Sequence, residues 1–361
     1  MPEIDLERLR SIGMTPALCQ HLLSLWPEDD DPDAGASLMR LAEVHRETVT
    51  LHDGARELSA RVLPRVMRTL AEAETGLAVG DWVLAQPDEH GAWWVRKRLP
   101  PLTHVARRDA DGRRHPVVSN ADTALLVMGL DDDFNLRRLE RYLALAHASE
   151  LAPVIVLTKA DVATPLAIEQ AFDGMRGRIA ASLPLVIVDA RSPEAAALLA
   201  PYLGAGQTLV VLGSSGAGKS TLTNTLIGAA VQDTGAVREH DSRGKHTTTA
   251  RSLHRLPGGA CVIDTPGLRT LRPDADEAAL GLSFGDIEGL AQACRFRDCR
   301  HGDEPGCAVR EGVAPDRLRN YQKLLREARR DSLTALERKA QVQQWKVRGR
   351  AARARMAAKR G

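Results

Sequence analysis

Gly213-Ser214-Ser215-Gly216-Ala217-Gly218-Lys219-Ser220-Thr221 carries the pattern GxxxxGK[ST] between an apolar run, TLVVL, and a helix-forming run, STLTNTLIG. Its chemistry is that of an anion cradle. The glycines let successive backbone N–H groups turn toward phosphate oxygens, Lys219 neutralises charge on the β and γ phosphates, and Ser220 offers a hydroxyl to Mg2+ at a helix N-terminus. Asp264-Thr265-Pro266-Gly267 closes a second apolar run; Asp264 can reach the same Mg2+, and the Gly267 N–H can sense a γ-phosphate. Thr158-Lys159-Ala160-Asp161 closes a third run, VIVL. A carboxylate there accepts both N1–H and the 2-amino group of guanine, whereas adenine offers a bare acceptor at N1, so Asp161 selects guanine. Thr158 stands where Asn is usual, with one hydroxyl for either the base edge or the phosphate loop. Asp189, in Val188-Asp189-Ala190, likewise replaces a base-supporting Ser.

Between the phosphate loop and Asp264 lies Arg243-Gly244-Lys245-His246-Thr247-Thr248-Thr249, where a loop threonine can join Mg2+ and the γ-phosphate; Thr248 is the residue of choice. Leu268 follows Gly267 where many GTPases keep a Gln to orient water, and a leucine cannot hydrogen-bond water. His246 is the nearest group able to orient or deprotonate it. Farther on, Cys294, Cys299, His301 and Cys307 place three thiolates and an imidazole within fourteen residues, the donor set of a closed, structural Cys3His zinc site. Cys19 and Cys261 lie in apolar surroundings and read as packing residues.

The elements that position these groups follow from the texture of the chain. Apolar runs at residues 123–130, 153–157, 184–188, 208–212 and 260–264 read as buried parallel strands, and residues 136–149, 165–182, 193–203 and 219–227 as crossover helices of a doubly wound α/β sheet. The base-reading run precedes the phosphate-loop run, the reverse of the ordinary order, so the α/β domain reads as circularly permuted. Upstream, residues 44–98 alternate β-branched and aromatic residues with turn signals, as in a small antiparallel barrel. Trp82, Trp93 and Trp94 there serve either its core or a binding surface, core being the commoner role. The first forty residues form a helical arm and an acidic linker, Glu28-Asp29-Asp30-Asp31-Pro32-Asp33. The divisions are thus residues 1–43 (arm and linker), 44–115 (barrel), 116–280 (α/β domain) and 281–361 (zinc module and basic helical tail).

Composition bounds the remainder. A chain of 361 residues, 43% hydrophobic and 27% charged, is an ordinary soluble multidomain protein, and 3% aromatic residues argue against a stacking platform for single-stranded nucleic acid. The N-terminus lacks a signal pattern and no stretch is fit to span a membrane, so the cytoplasm is the expected compartment and a monomer the default state. Net charge is +2, but residues 317–361 hold fifteen Lys and Arg against three acids, which leaves −10 on the rest. A basic tail on an acidic body suggests a polyanionic partner, unless the tail is merely a solvated helix.

The linear order of TKAD, GSSGAGKST, RGKHTTT, DTPG and CRFRDCRHGDEPGC, with Asp133-Phe134-Asn135 and Asn320-Tyr321, resembles the YjeQ/RsgA family of circularly permuted, small-ribosomal-subunit-dependent GTPases. The likeness runs from about Val44 to Leu325. It implies an OB-like barrel, a permuted P-loop GTPase and a helical zinc-binding C-terminal domain that together grip the small subunit and its rRNA late in maturation, with GTP or GDP, Mg2+ and one structural Zn2+ as cofactors. It also implies that His246 is the catalytic histidine. Thr158, Asp189 and the long arm depart from the family pattern. Two other classes are compatible with the residues alone: an ATP-dependent P-loop enzyme, and a zinc-containing RNA-binding protein with little hydrolysis.

Overall fold

The computed structural model describes residues 5–26, 33, 35–108, 114–229, 251–265 and 277–331. Two short helices open the chain, α1 (Leu6–Arg10), capped by Asp5, and α2 (Pro16–Ser24), capped by Thr15 with Pro16 in its first turn. Five strands follow: β1 (Ser37–Val44), β2 (Val49–His52), β3 (Glu57–Val62), β4 (Trp82–Pro87) and β5 (Trp93–Arg98), with α3 (Pro64–Glu72) between β3 and β4. They pair in the order β1-β2-β3-β5-β4, and β4 returns to β1, so the sheet closes into a five-stranded barrel without a free edge. Met39, Leu41, Val49, Leu51, Val83 and Ala85 point inward at the strand period of two.

The alternate residues of β1 and β4 are buried as well. Leu38, Ala42, Trp82 and Leu84 join a larger core with Ile12, Leu18 and Leu22 of the arm and with Val210 and Ile263 of the α/β sheet. Trp82 is thus a core residue, while Trp93 and Trp94 are half-buried at the barrel surface. Burial on both faces also removes the alternation by which a half-buried strand is read. The barrel therefore starts at Ser37, inside residues 1–43, which the sequence reading assigns to the arm.

A hairpin, β6 (His104–Arg108) and β7 (Arg114–Ser119), leads into the α/β domain. Its elements are β8 (Thr123–Gly129), α4 (Leu136–Ala148), β9 (Ala152–Thr158), α5 (Pro165–Met175), β10 (Leu185–Ile187), α6 (Glu194–Leu199), β11 (Thr208–Gly213), α7 (Lys219–Ile227), β12 (Ser252–Arg255) and β13 (Cys261–Asp264). Strands β10-β9-β8-β11-β13 are parallel, and every residue of β8 and β11 is buried, as a sheet covered on both faces requires. Two details differ from the sequence reading. Helix α5 stops at Met175 because Arg176 turns extended and Gly177 takes φ +73°, so residues 176–182 are not helical. An unforeseen antiparallel strand, β12, pairs with β13 on one side and with β1 on the other through Glu43 and Ser252. It fuses barrel and α/β sheet into one continuous sheet.

Four helices complete the described chain: α8 (Glu277–Ser283), α9 (Gly285–Ala291), α10 (Ala308–Gly312) and α11 (Pro315–Asp331). Their core of Phe284, Ile287, Val309 and Leu324 includes Ala144 of α4. Buried ion pairs add to this seat. Glu140 of α4 accepts from Arg317 Nη1 at 2.6 Å and from Asn320 Nδ2 at 2.5 Å, and Arg317 forks onto Asp286 at 2.6 and 3.1 Å. No helix among the described residues is long and apolar enough to cross a membrane.

Arg40, on β1, is fully buried where arm, barrel and α/β sheet meet. Its guanidinium donates to the carbonyls of Ile12, Gly80 and Asn120 and to Thr208 Oγ1, and lies 5.6 Å from the Trp82 ring. Burial pulls its pKa below the usual arginine range, against the field of Cys261, Asp122 and Asp81. Replacing it strands several buried acceptors at once. Arg40→Met is expected to destabilise the protein by about 3 to 5 kcal/mol in urea unfolding, well above the cost of an ordinary surface change.

Candidate functional site

The strands β8, β9, β11 and β13 all end on the same side of the sheet, and the loops that leave them converge there, the usual ligand edge of an open α/β fold. Strand β11 ends at Gly213, where a Cβ would stand 2.4 Å from the Val127 carbonyl; only glycine lets the chain turn this close to β8. Gly216 and Gly218 have φ of +85° and +87°, and α7 starts immediately after, at Lys219. Lys219 is buried, and its Nζ donates to the Ser214 carbonyl at 2.6 Å. Ser215 and Gly216 are exposed at the tip, while Ser220 and Thr221 are half-buried in the first turn of α7.

Thr158 ends β9 fully buried, and its hydroxyl donates to the Ala217 carbonyl at 2.6 Å. A Cβ on Gly218 would lie 3.2 Å from that hydroxyl, so glycine is also what lets the two loops meet. The threonine is therefore spent on the phosphate loop rather than on a base edge. Lys159 follows at φ +63°, with Nζ on Asp131 Oδ2 at 2.5 Å, and the Ala160 amide donates to the Val188 carbonyl at 3.3 Å. Asp161 is exposed beyond them. Asp189 accepts the Arg191 amide at 2.9 Å, which commits its carboxylate to its own turn, and Thr225 of α7 donates to the neighbouring Ala190 carbonyl at 2.6 Å.

Asp264 ends β13 directly beside Val211 of β11 and is 4% exposed. Burial pushes its carboxyl pKa up, opposed by the charge of Lys219 and the Thr265 amide, and its Oδ1 has no hydrogen-bond partner among the described residues. A buried carboxylate oxygen left without a donor, next to a lysine and a hydroxyl-bearing helix start, fits a hard cation such as Mg2+. His246, Thr248 and Gly267 lie outside the described residues.

The site contains two carboxylates outside the nucleotide motifs, Asp131 and Asp133, in the loop from β8 to α4; Asp133 opens the Asp133-Phe134-Asn135 run, to which the sequence reading gives no role at the nucleotide site. Asp131 holds Lys159, and Asp133 Oδ2 accepts from Ser214 Oγ at 2.5 Å. The signal available in the sequence was three consecutive acids, Asp131 to Asp133, directly after the apolar run of β8.

In the C-terminal helical module, Cys294, Cys299, His301 and Cys307 bring their donor atoms within 4.8 Å of one another. Cys294 Sγ is 3.9 Å from Cys307 Sγ, and His301 Nδ1 is 3.7 and 3.5 Å from the two sulfurs. A tetrahedral zinc bound by thiolates and imidazole would separate sulfur pairs by about 3.8 Å and sulfur–nitrogen pairs by about 3.5 Å. The donor set fits such an ion, with Nδ1 as the imidazole ligand. His301 adopts φ +58°, a conformation uncommon for a residue with a Cβ, where the loop turns to aim the ring.

On the barrel, Arg65, Thr69, Arg96, Lys97 and Arg98 line a cationic groove of about 440 Å³ between α3 and β5. Asp33 lies in it, accepting from Arg65 and Arg96 at 2.6 Å each. Replacing Thr158 tests how the nucleotide edge is built. Thr158→Val keeps the shape but leaves the Ala217 carbonyl without its donor, and is expected to weaken GDP binding about tenfold in equilibrium titration, whereas Asp189→Asn stays within about twofold.

Residues 100–273 match the family described as RsgA GTPase. A small ribosomal subunit biogenesis GTPase RsgA from Xanthomonas axonopodis pv. citri is 45% identical over 296 residues, covering 80% of each chain, and the one from Xanthomonas campestris pv. campestris (strain B100) is 46% identical over 293 residues, covering 79% of each. Among solved structures, YjeQ from Thermotoga maritima superposes with a TM-score of 0.58 at 24% identity, covering 81% of this chain and 98% of that one. YloQ, a circularly permuted GTPase, superposes with 0.55 at 20% identity, covering 85% and 100%. These two share the fold: barrel, permuted α/β sheet and C-terminal helices. With its motifs in permuted order on one sheet edge and its relatives matched over four fifths of its length, the chain belongs to the RsgA GTPase family.

Proposed function

We propose that the protein hydrolyses GTP during late maturation of the small ribosomal subunit, engaging the subunit and its rRNA in the GTP state and leaving after hydrolysis. The observation that carries this reading is the bond from Thr158 to the Ala217 carbonyl, which ties the base-reading loop to the phosphate loop and so makes one nucleotide site of two motifs. The subunit comes from the names of the curated relatives.

In this reading the amides of residues 213–218 and the Lys219 ammonium hold the phosphates, and Asp161 reads guanine while Lys159 and Ala160 shape the loop that presents it. Ser220, Thr248 and Asp264 hold Mg2+, which supplies charge neutralisation at the phosphates when bound. Gly267 senses the γ-phosphate. His246 orients the attacking water in the place that Leu268 leaves unfilled. Cys294, Cys299, His301 and Cys307 hold zinc in a closed set that has no position for water or substrate, so its contribution is to the fold of the module. An arm before Ser37, a barrel from Ser37 to residue 115, a GTPase domain over 116–280 and a zinc module over 281–361 divide the work, and the protein acts as a cytoplasmic monomer. The cationic groove of the barrel and the basic residues beyond Arg317 supply phosphate contacts to rRNA.

GTP hydrolysis measured with and without isolated small ribosomal subunits tests the reading. Strong stimulation by the subunit, lost in His246→Ala with GTP binding intact, is the expected result; fast basal turnover indifferent to subunits would overturn it. For the metal, elemental analysis is expected to find one zinc per chain, and Cys299→Ser to lose it together with subunit binding while GDP affinity holds.

A further inference from the structure

The loop between β8 and α4 belongs to neither nucleotide motif nor zinc module, yet it touches the machinery of the first and supports the seat of the second. Asp133 lies at its centre. Its carboxylate is divided between two partners: Oδ2 accepts from Ser214 Oγ at 2.5 Å, and Oδ1 receives Arg138 Nη1, from the first turn of α4. The loop is braced on either side. Asp131 Oδ1 accepts the Asp133 amide at 3.1 Å, the Phe134 amide bonds the Asp131 carbonyl at 2.9 Å, and Asn135 caps α4 by accepting the Arg138 amide at 3.1 Å. Asp133 therefore has little freedom to follow Ser214. It is the anchor, and Ser214 the part that is held.

What is held matters chemically. Ser214 is 7% exposed, and its carbonyl is the acceptor on which Lys219 Nζ rests at 2.6 Å. A hydroxyl fixed on one side of this residue and a carbonyl on the other set the plane of the peptide that opens the loop, and with it the direction of the amides that follow. A carboxylate suits the task better than a neutral amide. It makes a short charge-assisted bond to the hydroxyl, while Arg138 balances its charge, so that little negative potential is presented to an arriving phosphate.

We propose that Asp133 is a positioning residue for the phosphate loop, acting through Ser214, and that it sets nucleotide affinity without touching nucleotide. The inference rests on reading residues 213–220 as the phosphate loop, as proposed above. The pairing of a serine at the second position of the loop with this aspartate is a property of the two side chains together and not of the GxxxxGK[ST] pattern, which leaves that position open.

The test is a double-mutant cycle read by binding of a fluorescent GDP analogue and by steady-state GTP hydrolysis. Asp133→Ala and Ser214→Ala are each expected to weaken nucleotide about tenfold, appearing in KM with kcat held within about twofold, and the double variant is expected to be no weaker than either single one. Asp133→Asn, which keeps an acceptor oxygen, should recover part of the loss. Additive losses, unchanged affinity in Ser214→Ala, or a fall in kcat at constant KM would overturn the proposal, the last because it is what a reduced fraction of folded protein produces. Ser214→Ala removes only a hydroxyl and carries the test where Asp133→Ala does not fold. Failure of the wild-type protein to bind GDP would instead remove the phosphate-loop reading on which the proposal stands.

Discussion

Arg40 places a positive charge in the buried interior, hydrogen-bonded to oxygens that carry no charge of their own. Such a group is costly to bury and is held only if its hydrogens are used, and here the partners come from four separate stretches of chain: Ile12, Gly80, Asn120 and Thr208. The requirement runs in both directions. The arginine needs all four to be in place, and without it the buried carbonyls of Ile12 and Asn120 lose their side-chain donor. Gly13 is part of the same constraint, since a Cβ there would stand 1.7 Å from Arg40 Nη1. Arm, barrel and permuted sheet are thereby committed to one mutual arrangement, and the strand ends that carry the nucleotide motifs inherit that rigidity through Thr208, the first residue of β11.

From this frame outward the design is a sequence of short tethers. Thr158 fastens the base-reading loop to Ala217, Thr225 fastens α7 to Ala190, and Thr265 fastens the end of β13 to Val211 with a bond of 2.5 Å. Three threonine hydroxyls thus spend their donors on backbone carbonyls, two in neighbouring loops and one on strand β11. The groups that remain without such ties, Asp161 at the surface and Asp264 Oδ1 in the interior, are the ones the proposed chemistry asks to face ligand. From the same loop, α4 carries Glu140 into the C-terminal helices, so the helix that begins beside Asp133 also seats the cysteine module.

What could be read from the sequence was whatever is local. The phosphate loop, the TKAD run and the cysteine spacing are each complete within a few residues, and each lies where its flanking apolar runs place it. The parallel strands were legible for the same reason, since burial on both faces writes an unbroken apolar run. That same burial hid β1, because it has no polar side and LMRLA gives no alternation to count. Residues joined across long stretches were invisible: Ser214 with Asp133, Arg40 with Thr208, Glu43 with Ser252. Nothing in the type of either partner announces the other. Thr158 is instructive, because its departure from Asn was visible at once while its role required knowing that Ala217 offers a carbonyl within reach.

The seam between the two sheets bears on how the chain is made. The barrel is complete with β5 at Arg98 and β12 begins at Ser252, so during synthesis the whole barrel is made roughly 150 residues before its partner in the α/β sheet exists. A barrel closed on itself through β4 exposes no long edge during that interval, which guards the nascent chain against pairing with a neighbour. When β12 emerges it finds Glu43 already fixed in space and acts as the last rung. The permuted order of the domain, which brings β13 and β12 out after every other strand of the sheet, means that the final pieces to arrive are those that join the two halves.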